Sequence, residues 1–357
     1  MNDVWDWLLS EEARGLLATG LVAGLAERLA DRVPIERMAT GLRTLHPEIA
    51  VVSIVWTPEG GATAEDLPHS AVESALRTSP ITALREQRRD FMRVKLDVPA
   101  PFPLLESFRE GGSTDYLLMR LPALSRDQMF SVTTRQPGGF TDAQVELLLG
   151  LRMPLSLRLE LSMTRHVTRS LLRAYLGGRP TQRVLHGDHR RQNGERMEAV
   201  VFTCDLRGFT SRVDHRPSEE VLEDLDRYFE CVADPWVERG GDVLKFIGDA
   251  VLGILPLDRP DAADVALEAA QAAFVRLAEA NASLPADRPP LEMGYVLHAG
   301  PVVFGNIGSR QRIDFTVIGP VVNEASRIEK LTKELAPLLL TDTFVGHLAD
   351  PSATREV

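Results

Sequence analysis

Cysteine, lysine and long apolar runs are all scarce in this sequence. Its two cysteines, Cys204 and Cys231, give neither a disulfide framework nor a metal-ligand spacing. Both read as small buried hydrophobes in a reducing compartment. With no cysteine in residues 1–203, a thioether-linked chromophore or haem is excluded from that region. No apolar stretch reaches the ~18–20 residues that span a bilayer; the nearest, Leu16 to Ala30, is broken by Glu27 and Arg28. The start also lacks a basic segment ahead of a short apolar one, so the expectation is a cytoplasmic chain with no membrane span and no signal peptide. Net charge is −11 and no basic stripe follows one face, which argues against a nucleic-acid partner. Only four of the 40 basic residues are lysines (Lys95, Lys245, Lys330 and Lys333), so a lysine inside a motif draws notice.

What is present suits two domains: 357 residues, 44% of them hydrophobic. Residues 1–46 carry leucines near a 3.6-residue period (Leu16, Leu17, Leu21, Leu25 and Leu29) and read as helical. From Ile49 the pattern becomes short β-rich runs: Ile49 to Trp56, Phe91 to Leu96, Tyr116 to Leu121 and Met129 to Arg135, with a helix near Leu104 to Arg109. Gly138-Gly139 breaks the chain. Thr141 and Gln144 then form a capping-box pattern ahead of a long helical segment running to about Tyr175, with a kink expected at Pro154. Residues 177–196 combine glycine, proline and polar side chains and read as a linker.

Beyond it the periodicities alternate in a definite order. Met197 to Asp205 reads as a strand, and Pro217 to Gly240 as an amphipathic helix with Ser218 as candidate cap. Asp242 to Ile247 and Ala250 to Leu255 are strands joined by a tight Gly248-Asp249 turn. Asp261 to Leu284 is a helix and Leu291 to Ala299 a strand. This is β-α-β-β-α-β, the ferredoxin-like order, so the fold class expected is α+β. A further strand near Phe315 to Ile318 and a helix from Pro320 to Leu335 follow. In a split βαβ arrangement the first strand lies beside the hairpin, so Asp205 and Asp249 can meet at one end of the sheet. Two carboxylates there repel unless a cation such as Mg²⁺ joins them, and nearby loop amides with the following helix start, at Phe209 and Thr210, can hold phosphate oxygens. On position alone, a helix cap and a turn residue explain the same two aspartates.

The wider pattern resembles the class III adenylate and guanylate cyclases. Phe202-Thr203-Cys204-Asp205-Leu206-Arg207-Gly208-Phe209-Thr210 is similar to the family's first metal-binding segment, and Lys245-Phe246-Ile247-Gly248-Asp249 to its second, with the aspartates 44 residues apart. Gly305-Asn306-Ile307-Gly308-Ser309, then Asp314 to Gly319 and Val322 to Arg327, follow the family's last two segments in order. The resemblance implies that Asp205 and Asp249, with the Leu206 carbonyl, hold two Mg²⁺ or Mn²⁺ ions per site. It implies that Asn323 orients the ribose and that Arg327 stabilises charge at the α-phosphate. Lys245 only donates hydrogen bonds, so it suits adenine N1 and opposes guanine N1–H; guanylate cyclases of the family typically carry Glu there. The partner position, seven before Asn323, is Thr316, a variant shared with a subgroup that includes bicarbonate-responsive enzymes. Asp314, two residues away on the same strand face, is set aside on spacing. Pro320 departs from the Asp often found there, yet proline is sterically welcome in a first helical turn.

In such enzymes the metal aspartates come from one subunit and the Lys, Thr, Asn and Arg from the other, which implies a head-to-tail homodimer with ATP as substrate. Residues 35–165 resemble a GAF-type sensor, with Gly139-Phe140-Thr141-Asp142 as the main match. The organisation expected is therefore a GAF-like sensory domain with leading helices over 1–140, a signalling helix and linker over 141–196, and a class III cyclase domain over 197–357. The sensory domain would respond to an unidentified small molecule or protein. A guanylate or promiscuous cyclase, and a silent cyclase-like regulatory dimerisation module, stay open as alternatives.

Overall fold

The structure, a computed structural model, describes residues 2–122, 128–187, 194–309 and 311–357. Its contacts fall into two units, Met1–Ala174 and Tyr175–Val357. Residues 188–193, within the stretch read as linker, lie outside the described residues. Among the described residues no helix is long and apolar enough to cross a membrane.

The first unit opens with helices α1 (Asn2–Leu9), α2 (Glu11–Gly15) and α3 (Ala18–Leu29). Strands β1 (Arg37–Arg43), β2 (Ile49–Thr57) and β3 (Gly61–Pro68) follow, then short helices α4 (His69–Leu76) and α5 (Pro80–Glu86). Strand β4 (Phe91–Lys95), helix α6 (Pro103–Glu110), strands β5 (Asp115–Leu121) and β6 (Gln128–Thr134), and helices α7 (Asp142–Gly150) and α8 (Arg152–Leu176) complete it. The six strands pair antiparallel in the order β3-β2-β1-β6-β5-β4. One sheet face buries Met38, Leu42, Val52, Ile54 and Phe130 under the leucines of α3 (Leu21, Leu25, Leu29) and under Leu155 and Leu159 of α8.

The leucine stripe does form a helix, but the helical reading of residues 1–46 ends too late, because Arg37–Arg43 is a strand. Pro34 interrupts any helix before it, and β1 is fixed by long-range pairing to β2 on one side and β6 on the other. The Thr141–Gln144 capping box forms as expected. The kink at Pro154 is a full break: α7 ends at Gly150 and α8 restarts at Arg152. Proline clashes with the carbonyl four residues earlier, which here is that of Gly150.

The second unit begins with helix α9 (Gly178–Leu185), in residues whose polarity suggested linker. The helix is held by docking: Pro180 and Thr181 are buried, and the Arg179 N–H donates to Asp242 Oδ1 at 2.8 Å. Strand β7 (Gly194–Leu206), helices α10 (Phe209–His215) and α11 (Ser218–Glu238), strands β8 (Asp242–Ile247) and β9 (Ala250–Pro256), helix α12 (Ala262–Ala282) and strand β10 (Met293–Gly308) give the expected β-α-β-β-α-β core. Strand β11 (Ile313–Ile318), helix α13 (Pro320–Glu329), strand β12 (Leu338–Leu340) and helix α14 (Asp342–Val345) are appended. The sheet runs β11-β10-β7-β9-β8, with β12 parallel to β10. Pro217 occupies the position ahead of α11, so Ser218 is its first residue rather than its cap.

Period-two alternation along β7 sends Val200, Phe202 and Cys204 to one face and Ala199 and Val201 to the other. The first face takes Tyr228 and Trp236 of α11 and an alanine row (Ala262, Ala266, Ala270, Ala273) on α12, whose small side chains let helix and sheet approach closely. Phe202 is its centre, 4.4 Å from the Trp236 ring and 5.1 Å from that of Tyr295. Gly253 makes room for it, since a Cβ there would lie 2.1 Å from Phe202 Cε1. The second face is covered by Val321 and Ala325 of α13.

Candidate active site

The alternation that buries Val201 also places Asp205, four residues on, at the end of β7 on the α13 face of the sheet. Asp249 follows Gly248, whose φ of +66° turns the chain from β8 into β9. A side-chain hydrogen bond links Asp249 and Asp205, so the two aspartates do meet at one end of the sheet. Burial, that hydrogen bond and the charge of Asp205 push Asp249 up to about 6, and the charge of Glu329 adds to the shift. A pair of hard oxygen donors that resists double ionisation suits a divalent cation of the Mg²⁺ type, commonly held by one or two carboxylates. Among the described residues no group of three or more His, Cys, Asp or Glu side chains is arranged to hold a metal.

Glu329 was not singled out by sequence reasoning. Gly294 stands directly opposite Asp205 in the β7–β10 register, and a Cβ on it would lie 2.1 Å from Thr332 Oγ1 and 3.3 Å from Glu329 Oε1. Glycine at 294 thus admits the end of α13 and the turn after it to the sheet beside Asp205. Burial, followed by the charge of Asp205, raises the Glu329 carboxyl. No local pattern signals this; the cue is a glycine across the sheet.

The other expected residues fall as follows. Leu206 is buried at the last position of β7. Gly208, at φ +69°, turns the chain into α10, where Phe209 packs against the larger core and Thr210 is exposed. Lys245 sits on β8 opposite Leu252, and its Nζ lies 2.5 Å from Asp314 Oδ2 on β11. The ends of the sheet order thus come together through this pair. Thr316, opposite Gly305, lies two residues further along β11. The residue set aside on spacing is therefore the ion partner of Lys245.

Asn323 and Arg327 lie four apart on α13, so they share a face, and both are exposed. Pro320 sits in the first turn of this helix without disturbing it. Between them, Glu324 Oε2 is 3.0 Å from His298 Nε2. His298 is buried on β10, and its Nδ1 lies 2.7 Å from the Thr341 hydroxyl and 3.0 Å from that of Thr343. Donation from Nε2 to Glu324 with acceptance at Nδ1 satisfies both ends. This link fixes α13, and it too escaped the sequence reading, because a lone histidine in a strand carries no motif.

Residues 193–346 match the family described as the adenylate and guanylate cyclase catalytic domain. An adenylate cyclase of Anabaena cylindrica is 34% identical over 157 residues, covering 43% of this chain and 31% of that protein. An uncharacterised protein of Mycobacterium tuberculosis is 37% identical over 160 residues, covering 44% of this chain and 28% of that protein. The chain thus spans less than a third of the length of these curated relatives. Among solved structures, the guanylyl cyclase Cya2 is 33% identical at a TM-score of 0.41, covering 44% of this chain and 81% of that one. A bacterial light-regulated adenylyl cyclase is 30% identical at a TM-score of 0.39, covering 42% and 78%. Residues 193–346 are thus the part of this chain that is similar to the adenylate and guanylate cyclase catalytic domain.

Proposed function

We propose that this protein is an adenylate cyclase, converting ATP to 3′,5′-cyclic AMP and pyrophosphate at sites shared between two copies of the chain. The observation that carries this reading is the Asp205–Asp249 pair, poised for a cation, on a domain that also bears Lys245, Asn323 and Arg327. Divalent ions, Mg²⁺ or Mn²⁺ and two per site, would be held by Asp205, Asp249 and the Leu206 carbonyl. When bound, they supply charge neutralisation for the triphosphate and acidify the ribose 3′-hydroxyl. Asn323 orients the ribose, and Arg327 offers a planar fork of donors to the α-phosphate oxygens where charge builds up. The backbone amides of Phe209 and Thr210, at the start of α10, would hold phosphate oxygens.

Lys245 directs the choice of base. Its ammonium donates to adenine N1, whereas guanine presents a donor at the same place and would leave both groups unpaired. Thr316 takes the adenine amine, and the adenylate cyclase of Anabaena cylindrica among the relatives agrees with ATP as substrate.

Two features support a homodimer. Asn323 and Arg327 are exposed, and among the described residues their side chains make no hydrogen bond. On α8, Met153, Leu157 and Leu161 repeat every fourth residue and are exposed (51%, 48% and 37%), an apolar stripe suited to a second copy of the same helix. We assign the first unit, read as GAF-like, to regulation through that helix. The test is turnover of ATP and of GTP by the purified chain, each with Mg²⁺ and with Mn²⁺. Cyclic AMP as the main product supports the reading. Cyclic GMP as the main product would replace it with a guanylate cyclase, and no cyclic product from the full chain or from residues 175–357 would leave a regulatory module.

A further inference from the structure

The first unit carries a cavity of about 440 Å³ on the sheet face opposite its main core. Its floor is made of small side chains: Ala39 and Gly41 on β1, Ser53 on β2 and Ser131 on β6. Larger residues at these positions would fill the space, and a Cβ on Gly41 alone would already come within 3.2 Å of Val51. The roof is α4 and α5, which contribute Val72, Leu76 and Ile81. Helix α4 buries none of its residues, whereas α5 is anchored by buried Pro80 and Leu84, so the α4 half of the roof can open at low cost. The volume falls in the range of about 300–1,000 Å³ typical of small-molecule sites.

Among the described residues the charged side chains lining this space are all basic: Arg37, Arg43 and Arg85. Arg37 is the telling one. Its guanidinium lies 5.2 Å from the Phe108 ring centroid and, among the described residues, has no carboxylate within ion-pair distance. Glu36, next to it in sequence, pairs instead with Arg135 and accepts from Ser113 and Thr133. Burial pulls the Arg37 guanidinium below its usual value, and the fields of Tyr116 and Glu36 only partly offset this. Arg37 is half-buried with the Phe108 ring beside it but, among the described residues, no anionic partner, and an anion in the cavity supplies one.

We infer that this cavity is a binding site for a small organic anion with an apolar body, its acidic group on Arg37 and its body between the small-residue floor and the α4–α5 roof. The site lies wholly within the first unit, so the inference stands or falls apart from the cyclase reading.

The test is a fluorescence titration of the full chain with two dyes. 8-Anilinonaphthalene-1-sulfonate is an aromatic anion, and N-phenyl-1-naphthylamine is its uncharged counterpart. Arg37→Met is expected to weaken the anion about tenfold or more, the scale of a lost charge-assisted hydrogen bond, and to leave the uncharged dye within about twofold. Arg37→Lys should retain part of the anion affinity. Ala39→Phe, which fills the cavity and leaves the arginines in place, should remove both dyes. If Arg37→Met melts below the assay temperature, Arg37→Gln takes its place under the same criteria. Anion binding unchanged in the Arg37 variant, or both dyes unaffected by Ala39→Phe, would overturn the inference.

Discussion

Lys245 Nζ and Asp314 Oδ2 lie 2.5 Å apart, joining β8 to β11 across the two ends of the sheet order. The lysine side chain is 28% exposed and the aspartate 51%, so solvent screens the pair and its net contribution to stability is about 0–1 kcal/mol. Its value is directional: Asp314 ties the one donor-only side chain of β8 to the strand that carries Thr316. Asp314→Asn should leave the fold intact and relax the preference for ATP over GTP by a few-fold, about 2–5, in line with an exposed pair. Lys245→Glu reverses the hydrogen-bonding sense and should cost ATP turnover on the order of a hundredfold while raising GTP turnover. Ratios of kcat/KM for the two nucleotides check both; an unchanged ratio in Lys245→Glu would remove Lys245 from base selection.

The Asp205–Asp249 pair sets a pH dependence whose sign follows from the raised Asp249. A carboxyl lifted above its unfolded value destabilises the fold when ionised, so without metal the domain loses stability as pH climbs from about 4 through about 6. A bound divalent cation removes that repulsion, whereas below about 6 a proton competes for the same oxygens. Mn²⁺ should therefore raise the melting temperature more at about pH 7.5 than at about pH 5.5, and Asp249→Asn should flatten the difference. Equal shifts at both values would mean that the cation binds elsewhere.

His298 acts on α13 without reaching its exposed face. Replacing it by Ala removes its hydrogen bonds to Glu324, whose half-exposed carboxylate stays solvated, and to Thr341, at a cost of about 0.5–1.5 kcal/mol. Thermal melting should register several degrees, about 2–4 °C per kcal/mol for a unit of this size. Because α13 carries Asn323 and Arg327, kcat should fall more than KM rises. A melting shift with unaltered kcat would confine His298 to structure.

The parts of this protein that were legible in its sequence share a local cause. Gly248-Asp249 makes its own turn, Thr141 and Gln144 cap their own helix, and the alternation of β7 alone decides which face receives Asp205. What stayed hidden depends on partners distant in sequence. Strand β1 exists through β2 and β6, and α9 through Asp242, 63 residues beyond Arg179. Glu329 reaches Asp205 only because Gly294 is opposite, and Asp314 reaches Lys245 only because the two ends of the sheet order meet. The spacing that singled out Thr316 did not foresee which side chain Lys245 would touch.

The most direct test of a shared site is complementation. Asp249→Ala and Arg327→Ala chains, carrying different tags, are co-expressed and the mixed dimer is isolated by both tags. Each variant alone should be slowed about a hundredfold or more, while the mixed dimer, with one intact site of two, should recover about half the wild-type rate of cyclic AMP formation. A mixed dimer as inactive as its parents would contradict a site built from two chains.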